Sequence, residues 1–173
     1  MKYKTIIYRK SFITLTCFIF LTIGLKAQEI KKEKDSQVKE LITLKHFVFN
    51  AESVLPSGGR LRILNSGEQI DLNGDTLRTD LPFFGRAYTA PINSSEGGFH
   101  FTSTDFDYNV KERKRGGWDV SIKPRDNSDV RQLYLNVSPG GDASLQVTSN
   151  NREFISFNGH IKERKRAESG ERN

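Results

Sequence analysis

Leu133-Tyr-Leu-Asn-Val-Ser-Pro-Gly-Gly-Asp-Ala-Ser-Leu-Gln-Val-Thr-Ser-Asn-Asn-Arg-Glu-Phe-Ile-Ser-Phe-Asn-Gly-His-Ile161 alternates apolar and polar residues through three runs separated by turn residues. Reversals at Pro139-Gly-Gly141 and Asn150-Asn-Arg152 set Val137 opposite Ala143, Leu135 opposite Leu145, Val147 opposite Ile155 and Leu145 opposite Phe157. With that register Leu133, Leu135, Val137, Ala143, Leu145, Val147, Ile155, Phe157 and Ile161 share one face. Strand side chains alternate with period two, so a slip of one residue would turn the whole set over. One step upstream, Lys114-Arg-Gly116 places Val110 opposite Val120 and Tyr108 opposite Ile122, with Gly116 free to take a left-handed conformation. Three turns that agree on one dry face predict an antiparallel meander.

Further upstream, Asp75–Tyr108 holds five of the twelve Phe, two of the five Tyr and two of the five Pro. It reads as two or three strands that carry large rings into the core. Before it, Asn73-Gly74 is a hairpin signal that would pair Leu72 with Asp75 and Ile70 with Leu77. Ile70, Leu72, Leu77 and Leu81 then fall on one face, and Gln69, Asp71, Thr76, Arg78 and Asp80 on the other. Arg60-Leu-Arg-Ile-Leu64 alternates with Leu61 and Ile63 on one face, and Phe47, Phe49 and Ala51 alternate in the first run. Val38, Leu41, Ile42 and Lys45 recur at helical spacing, which predicts a short helix within 28–45, capped by Asp35 or Ser36. The fold class is all-β with one N-terminal helix. About nine or ten strands over 46–162 form a strongly curved sheet or barrel-like fold, followed by a polar tail at 163–173.

The first 27 residues read as an export signal. Lys2, Lys4, Arg9 and Lys10 precede an apolar run from Phe12 to Leu25, and Ala27 stands at the expected cut. The run of 14 residues is short of the roughly 20 that a membrane span needs, so no stable span is expected after cleavage. Cys17, the single cysteine, leaves with the signal, which excludes disulfides and thiolate chemistry from the mature chain. The whole chain carries 27 basic and 21 acidic residues; without the five basic residues of the signal the balance is 22 to 21. A net charge of +1 gives no electrostatic case for nucleic acid. The remaining length fits one domain, periplasmic or secreted.

The motifs Gly74-Asp-Thr76, Asp80-Leu-Pro-Phe-Phe-Gly-Arg-Ala-Tyr88 and Phe101-Thr-Ser-Thr-Asp-Phe-Asp-Tyr108 together resemble the domain-of-unknown-function 4251 family. So do Gly116-Gly-Trp-Asp119, Ala143-Ser-Leu-Gln-Val-Thr-Ser149 and Ile155-Ser-Phe-Asn-Gly159. The likeness runs from about Val38 to Ile161. It implies one exported domain of a kind found in Bacteroidota and supplies no catalytic residue.

Candidate sites are sparse. Asp105, Asp107 and Asn109 alternate as in the start of a calcium loop, but Val110 stands where that loop needs Gly. The alternation suits a strand with Phe106, Tyr108 and Val110 inside. His46, His100 and His160 lack metal-ligand spacing, and no metal or cofactor is expected. No nucleophile elbow is present. A carboxylate pair such as Asp105 with Asp119 would be needed for glycosidase chemistry. Arg86 lies among aromatic residues and is placed to stack on a ring or pair with a carboxylate. Phe83, Phe84, Arg86, Tyr88 and Trp118 are therefore the candidate lining of a ligand mouth. Gly85 permits a close approach there. Lys111-Glu-Arg-Lys-Arg115 recurs as Lys162-Glu-Arg-Lys-Arg166, at a hairpin tip and at the start of the tail.

The expected function is a non-enzymatic exported binding module for a small apolar ligand or an envelope protein. The alternatives are a hydrolase of glycan or cell-wall substrates and a partner adaptor using an exposed sheet edge.

Overall fold

The computed structural model describes residues 32–88 and 97–164. The segment read as an export signal and most of the polar tail lie outside the described residues. A helix, α1, spans residues 32–43, and ten strands follow. They are β1 (His46–Pro56), β2 (Arg62–Ile63), β3 (Gln69–Asn73), β4 (Thr76–Pro82), β5 (Gly98–Ser103), β6 (Phe106–Glu112), β7 (Trp118–Pro124), β8 (Val130–Val137), β9 (Asp142–Ser149) and β10 (Ile155–Glu163).

The strands form one sheet in the order β5-β4-β3-β1-β10-β9-β8-β7-β6, with β2 hydrogen-bonded to β1 off that path. Every step along the path is antiparallel. Eight reversals separate β5 from β6, so the two point the same way, and only Thr104 and Asp105 lie between them. They are therefore two halves of one bent strand: the first half pairs with β4, the second with β7. This makes the sheet a nearly closed, barrel-like layer of eight strand positions, a number that leaves an interior just wide enough for side chains.

The interior is filled accordingly. Phe47, Phe49, Phe99 and Phe157 are fully buried with Ile70, Leu72, Leu77, Leu81, Ile122, Leu133 and Leu135. All nine residues assigned to the dry face of the C-terminal meander are buried. The registers expected for the β6–β7, β8–β9 and β9–β10 hairpins are the observed ones.

The bend between β5 and β6 needs partners for backbone groups that no longer face a ladder. The Asp126 carboxylate supplies them, accepting from the amides of Thr104 (3.0 Å) and Asp105 (3.3 Å) and from the Ser103 hydroxyl. The Arg125 amide donates to the Asp105 carbonyl at 2.8 Å. These bonds stitch the end of β7 to the bend.

Helix α1 packs Val38 and Ile42 into the core. The buried part of the Tyr108 ring leads its hydroxyl to the Ile42 carbonyl, 2.8 Å away. Lys45 leaves the helix with a positive φ of 53° and places its ammonium over the rings of Phe106 and Tyr108.

Four local expectations are corrected. The β3–β4 hairpin turns at Gly74-Asp75, pairing Leu72 with Leu77 and Ile70 with Thr79. Gly74 has φ +60° while neither Asn73 nor Asp75 is left-handed, so Gly occupies the first turn position, as a two-residue turn of that type requires. The apolar face survives because the register moves by two residues, not one; buried Thr79 joins it. Asp35 and Ser36 do not cap α1: they lie inside it, and the Ser36 hydroxyl donates back to the Glu33 carbonyl. Leu61 and Ile63 face solvent, because β2 is a two-residue flap on β1 beyond a bulge at Ala51/Ser53. Val110 is 39 % exposed, because β6 runs out past the core toward its hairpin tip.

Candidate functional site

The segment after β4 folds back along the β9–β10 loop and builds a corner of the barrel. The Phe83 amide donates to Gly97, Ala87 forms an isolated bridge with Arg152, and the Tyr88 amide donates to Asn151 at 2.7 Å. The Glu153 amide donates to the Arg86 carbonyl at 3.1 Å. Three successive residues on each side, 86–88 and 151–153, are thereby tied by backbone pairing.

Arg152 is the pin of this corner. Its side chain is 10 % exposed and its Nε lies 3.2 Å from the Asp129 carboxylate. Its Nη1 donates to the Gly98 carbonyl at 3.0 Å. The guanidinium faces the rings of Phe83 and Phe99 at 5.2 and 5.1 Å, and these rings meet edge to face. Asp129 is held in turn by the Ser149 hydroxyl at 2.7 Å, and Ser149 accepts from the amides of Asn151 and Arg152. The arginine that faces the Phe83 and Phe99 rings is thus Arg152, not Arg86, which is exposed. Adjacent residues in sequence suggested Arg86; the sheet delivers Arg152 from the far side.

Beside the pin lies an open pocket of about 450 Å³ between the Pro56–Gly59 turn, Phe84, Gly85, Arg62, Arg86 and Glu153. The Arg62 guanidinium sits 4.7 Å from the Phe84 ring centre. Among the described residues neither Arg62 nor Arg86 lies in an ion pair, whereas Arg113, Arg125, Arg152 and Arg164 do. Gly85 lets the Phe83 ring approach to 2.8 Å from where a Cβ would stand, as expected of that position. Of the candidate mouth, the structure brings Phe84 and Arg86 to the pocket. Phe83 lies under it against the core, and Tyr88, 71 % exposed, follows at the corner. Trp118 is not part of it: it is buried on β7 opposite Glu112 and Val137, beside the far end of the bent β5–β6 strand from Phe83. Arg62 and Glu153 were missed because their roles depend on a flap and a loop that meet only in the folded chain.

Other candidate groups resolve into separate contacts. Asp105 and Asp107 both face Arg125, whose guanidinium is held above its usual pKa by its bond to Asp107 and by the two negative charges. Asp119 bonds Asn136 and lies near Arg113. Asp119 pairs with Lys111 while Asp107 pairs with Lys123. Asp105 therefore lies about six residues along the ladder from Asp119, roughly 20 Å, too far for paired glycosidase carboxylates. His100 bonds Asp80 at 2.6 Å and His160 bonds Glu52 at 2.8 Å, on different strands. The repeated basic pentapeptide places its central arginine on an acid each time: Arg113 by Asp119, and Arg164 by Asp71 at 3.0 Å. A larger groove of about 610 Å³ runs between α1 and β10, but its walls mix Lys34, Glu40, Asp142, Lys162 and Glu163 without convergence.

The fold and corner define an antiparallel barrel-like domain with an N-terminal helix. The family model described as a domain of unknown function, DUF4251, matches residues 29–161, and the chain belongs to that family. The crystal structure of a DUF4251 family protein from Bacteroides eggerthii DSM 20697 is similar in fold. It has 16 % sequence identity and a TM-score of 0.56, with 75 % of this chain and 87 % of that chain covered. The curated proteins contain no match to the sequence.

Proposed function

We propose that the chain is an exported, non-enzymatic binding module that holds a small ligand at the corner pocket. The observation that carries this reading is a concave site whose two guanidiniums lie in no ion pair among the described residues, on a backbone frame locked by Arg152. A preformed pocket with few convergent polar groups is what small-ligand sites share. Rigid support removes part of the ordering cost of binding. The filled interior favours the corner over the inside of the barrel as the ligand's place.

Export is tested by fractionating cells that express the full chain and sequencing the N-terminus of the product. The expected product begins at Gln28 and leaves the cytosol; an uncut cytosolic chain would contradict the reading. Binding is tested by native mass spectrometry of protein purified from the envelope or medium. A retained ligand that is lost on Phe84→Ala supports the pocket. A ligand that stays bound to that variant places the site elsewhere.

A second reading, an adaptor for a protein partner, is favoured by Ile63, 81 % exposed on the flap, with Leu61, Leu55 and Phe154 also exposed. A partner captured by the native chain and lost on Ile63→Asp would support it. Capture unchanged by that substitution would not.

A further inference from the structure

We infer that the corner pocket takes a single oxyanion carried on a hydroxylated ring, such as a sugar acid or a sugar sulfate ester. This rests on the proposed ligand-binding reading and names the class of ligand. The first ground is charge. Among the described residues, Arg62 and Arg86 bring two positive charges to the pocket and Glu153 one negative charge, leaving +1 for the ligand to meet. A monoanion satisfies that balance, and a dianionic phosphate monoester exceeds it.

The second ground is geometry. The Arg62 guanidinium is already laid over the Phe84 ring, which lowers the ordering cost a ligand must meet. Its in-plane N–H groups match the two oxygens of a carboxylate or sulfate. Arg86 hangs from a backbone held by the Glu153 amide on its own carbonyl and, two residues on, by the Tyr88 amide on Asn151. A third ground is the placement of Glu153 in the same wall. An ionised carboxylate only accepts hydrogen bonds. It would repel a second anion and would accept from hydroxyls set around the first. The turn at Pro56–Gly59 is closed by the Gly59 amide on the Pro56 carbonyl. An added Cβ at Gly58 would meet no atom within 4 Å, so ligand atoms can pass that backbone without a side chain in the way. A volume of about 450 Å³ falls in the range of small-ligand sites, which start near 300 Å³.

The test compares the methyl glycosides of galacturonic acid, of galactose monosulfate and of neutral galactose. Titrations of the mature chain are read by calorimetry and by the amide resonances of Gly58, Gly85 and Arg86. One or both charged sugars should bind at least about tenfold tighter than the neutral one, with those amides moving. Arg86→Ala, at an exposed side chain, should weaken the charged sugar by about tenfold, and Arg62→Lys should weaken it also. About 1 M salt, with a Debye length near 3 Å, should narrow the gap. The relative strength of the carboxylated and sulfated sugars identifies the source of the anion. Equal binding of the neutral sugar, or charged-sugar binding unchanged by Arg86→Ala, would overturn the oxyanion assignment while leaving a ligand site at the corner. If these sugars and a general fragment library all leave the three amides unmoved, the ligand-binding reading falls with it.

Discussion

Arg152 Nε lies 3.2 Å from Asp129 Oδ2, joining the β9–β10 loop to the residue before β8 across the wall of the barrel. Because the arginine is nearly buried, removing it strands a half-buried carboxylate and uncovers the faces of Phe83 and Phe99. Breaking a buried pair on one side costs about 3–5 kcal/mol, and the partial exposure of Asp129 argues for the lower end. Arg152→Ala is therefore expected to cost about 3 kcal/mol in urea denaturation. Arg152→Lys should recover part of that, since an ammonium keeps the charge but loses the planar fork. A cost below about 0.5 kcal/mol for Arg152→Ala, typical of a surface substitution, would remove the pin from the account.

Asp126 predicts a pH dependence. Its carboxyl is held below the ordinary aspartate value of 3.8 by the Ser103 hydroxyl first and then by the Thr104 amide. A depressed folded pKa means that the unfolded chain takes up the proton first as the solution is acidified. The stabilisation is thus fully present above 3.8 and is lost as pH falls through the lowered folded value. Asp126→Asn should be less stable than the parent at pH 7, with the difference shrinking below about pH 4. A difference that stays constant from pH 7 to pH 2 would contradict this role.

Tyr108 ties α1 to β6. Burial pushes its hydroxyl well above the ordinary tyrosine value of 10.0, so it remains a donor to Ile42 at neutral pH. Tyr108→Phe should cost about 1 kcal/mol and speed hydrogen exchange in residues 38–43. A raised folded pKa stabilises the fold fully below pH 10.0 and loses that contribution as pH rises above it. The parent should therefore lose more stability than Tyr108→Phe in alkali; equal losses would show that the hydroxyl is not buried as described.

The meander was legible because its information is local. Leu133, Leu135 and Val137 alternate with polar residues, and each turn carries residues able to reverse the chain. The turn at Gly74 lies one residue further on than expected, and the register moves by two, because Asn-Gly admits more than one two-residue turn. The choice depends on which residue takes positive φ, and pairing Leu72 with Leu77 decides it. The bend at Thr104–Asp105 carries no sequence signal that tells it from a reversal. Only the parity of eight antiparallel steps shows that the chain goes straight on. At the site, Phe84 and Arg86 were legible from composition. Trp118 was drawn in as an aromatic but is separated from them by the length of a bent strand. Arg62, Arg152 and Glu153 carry no local signal, because their partners are distant in sequence.

The most direct test of the corner as the binding site is a fragment and sugar titration followed by nuclear magnetic resonance on residues 28–173. Shifts should be confined to Gly58, Gly59, Gly85, Arg86 and Tyr88, with the Trp118 indole signal unmoved. Saturable shifts of the Trp118 indole with the corner amides unchanged would contradict the account and move the site to the far end of the barrel.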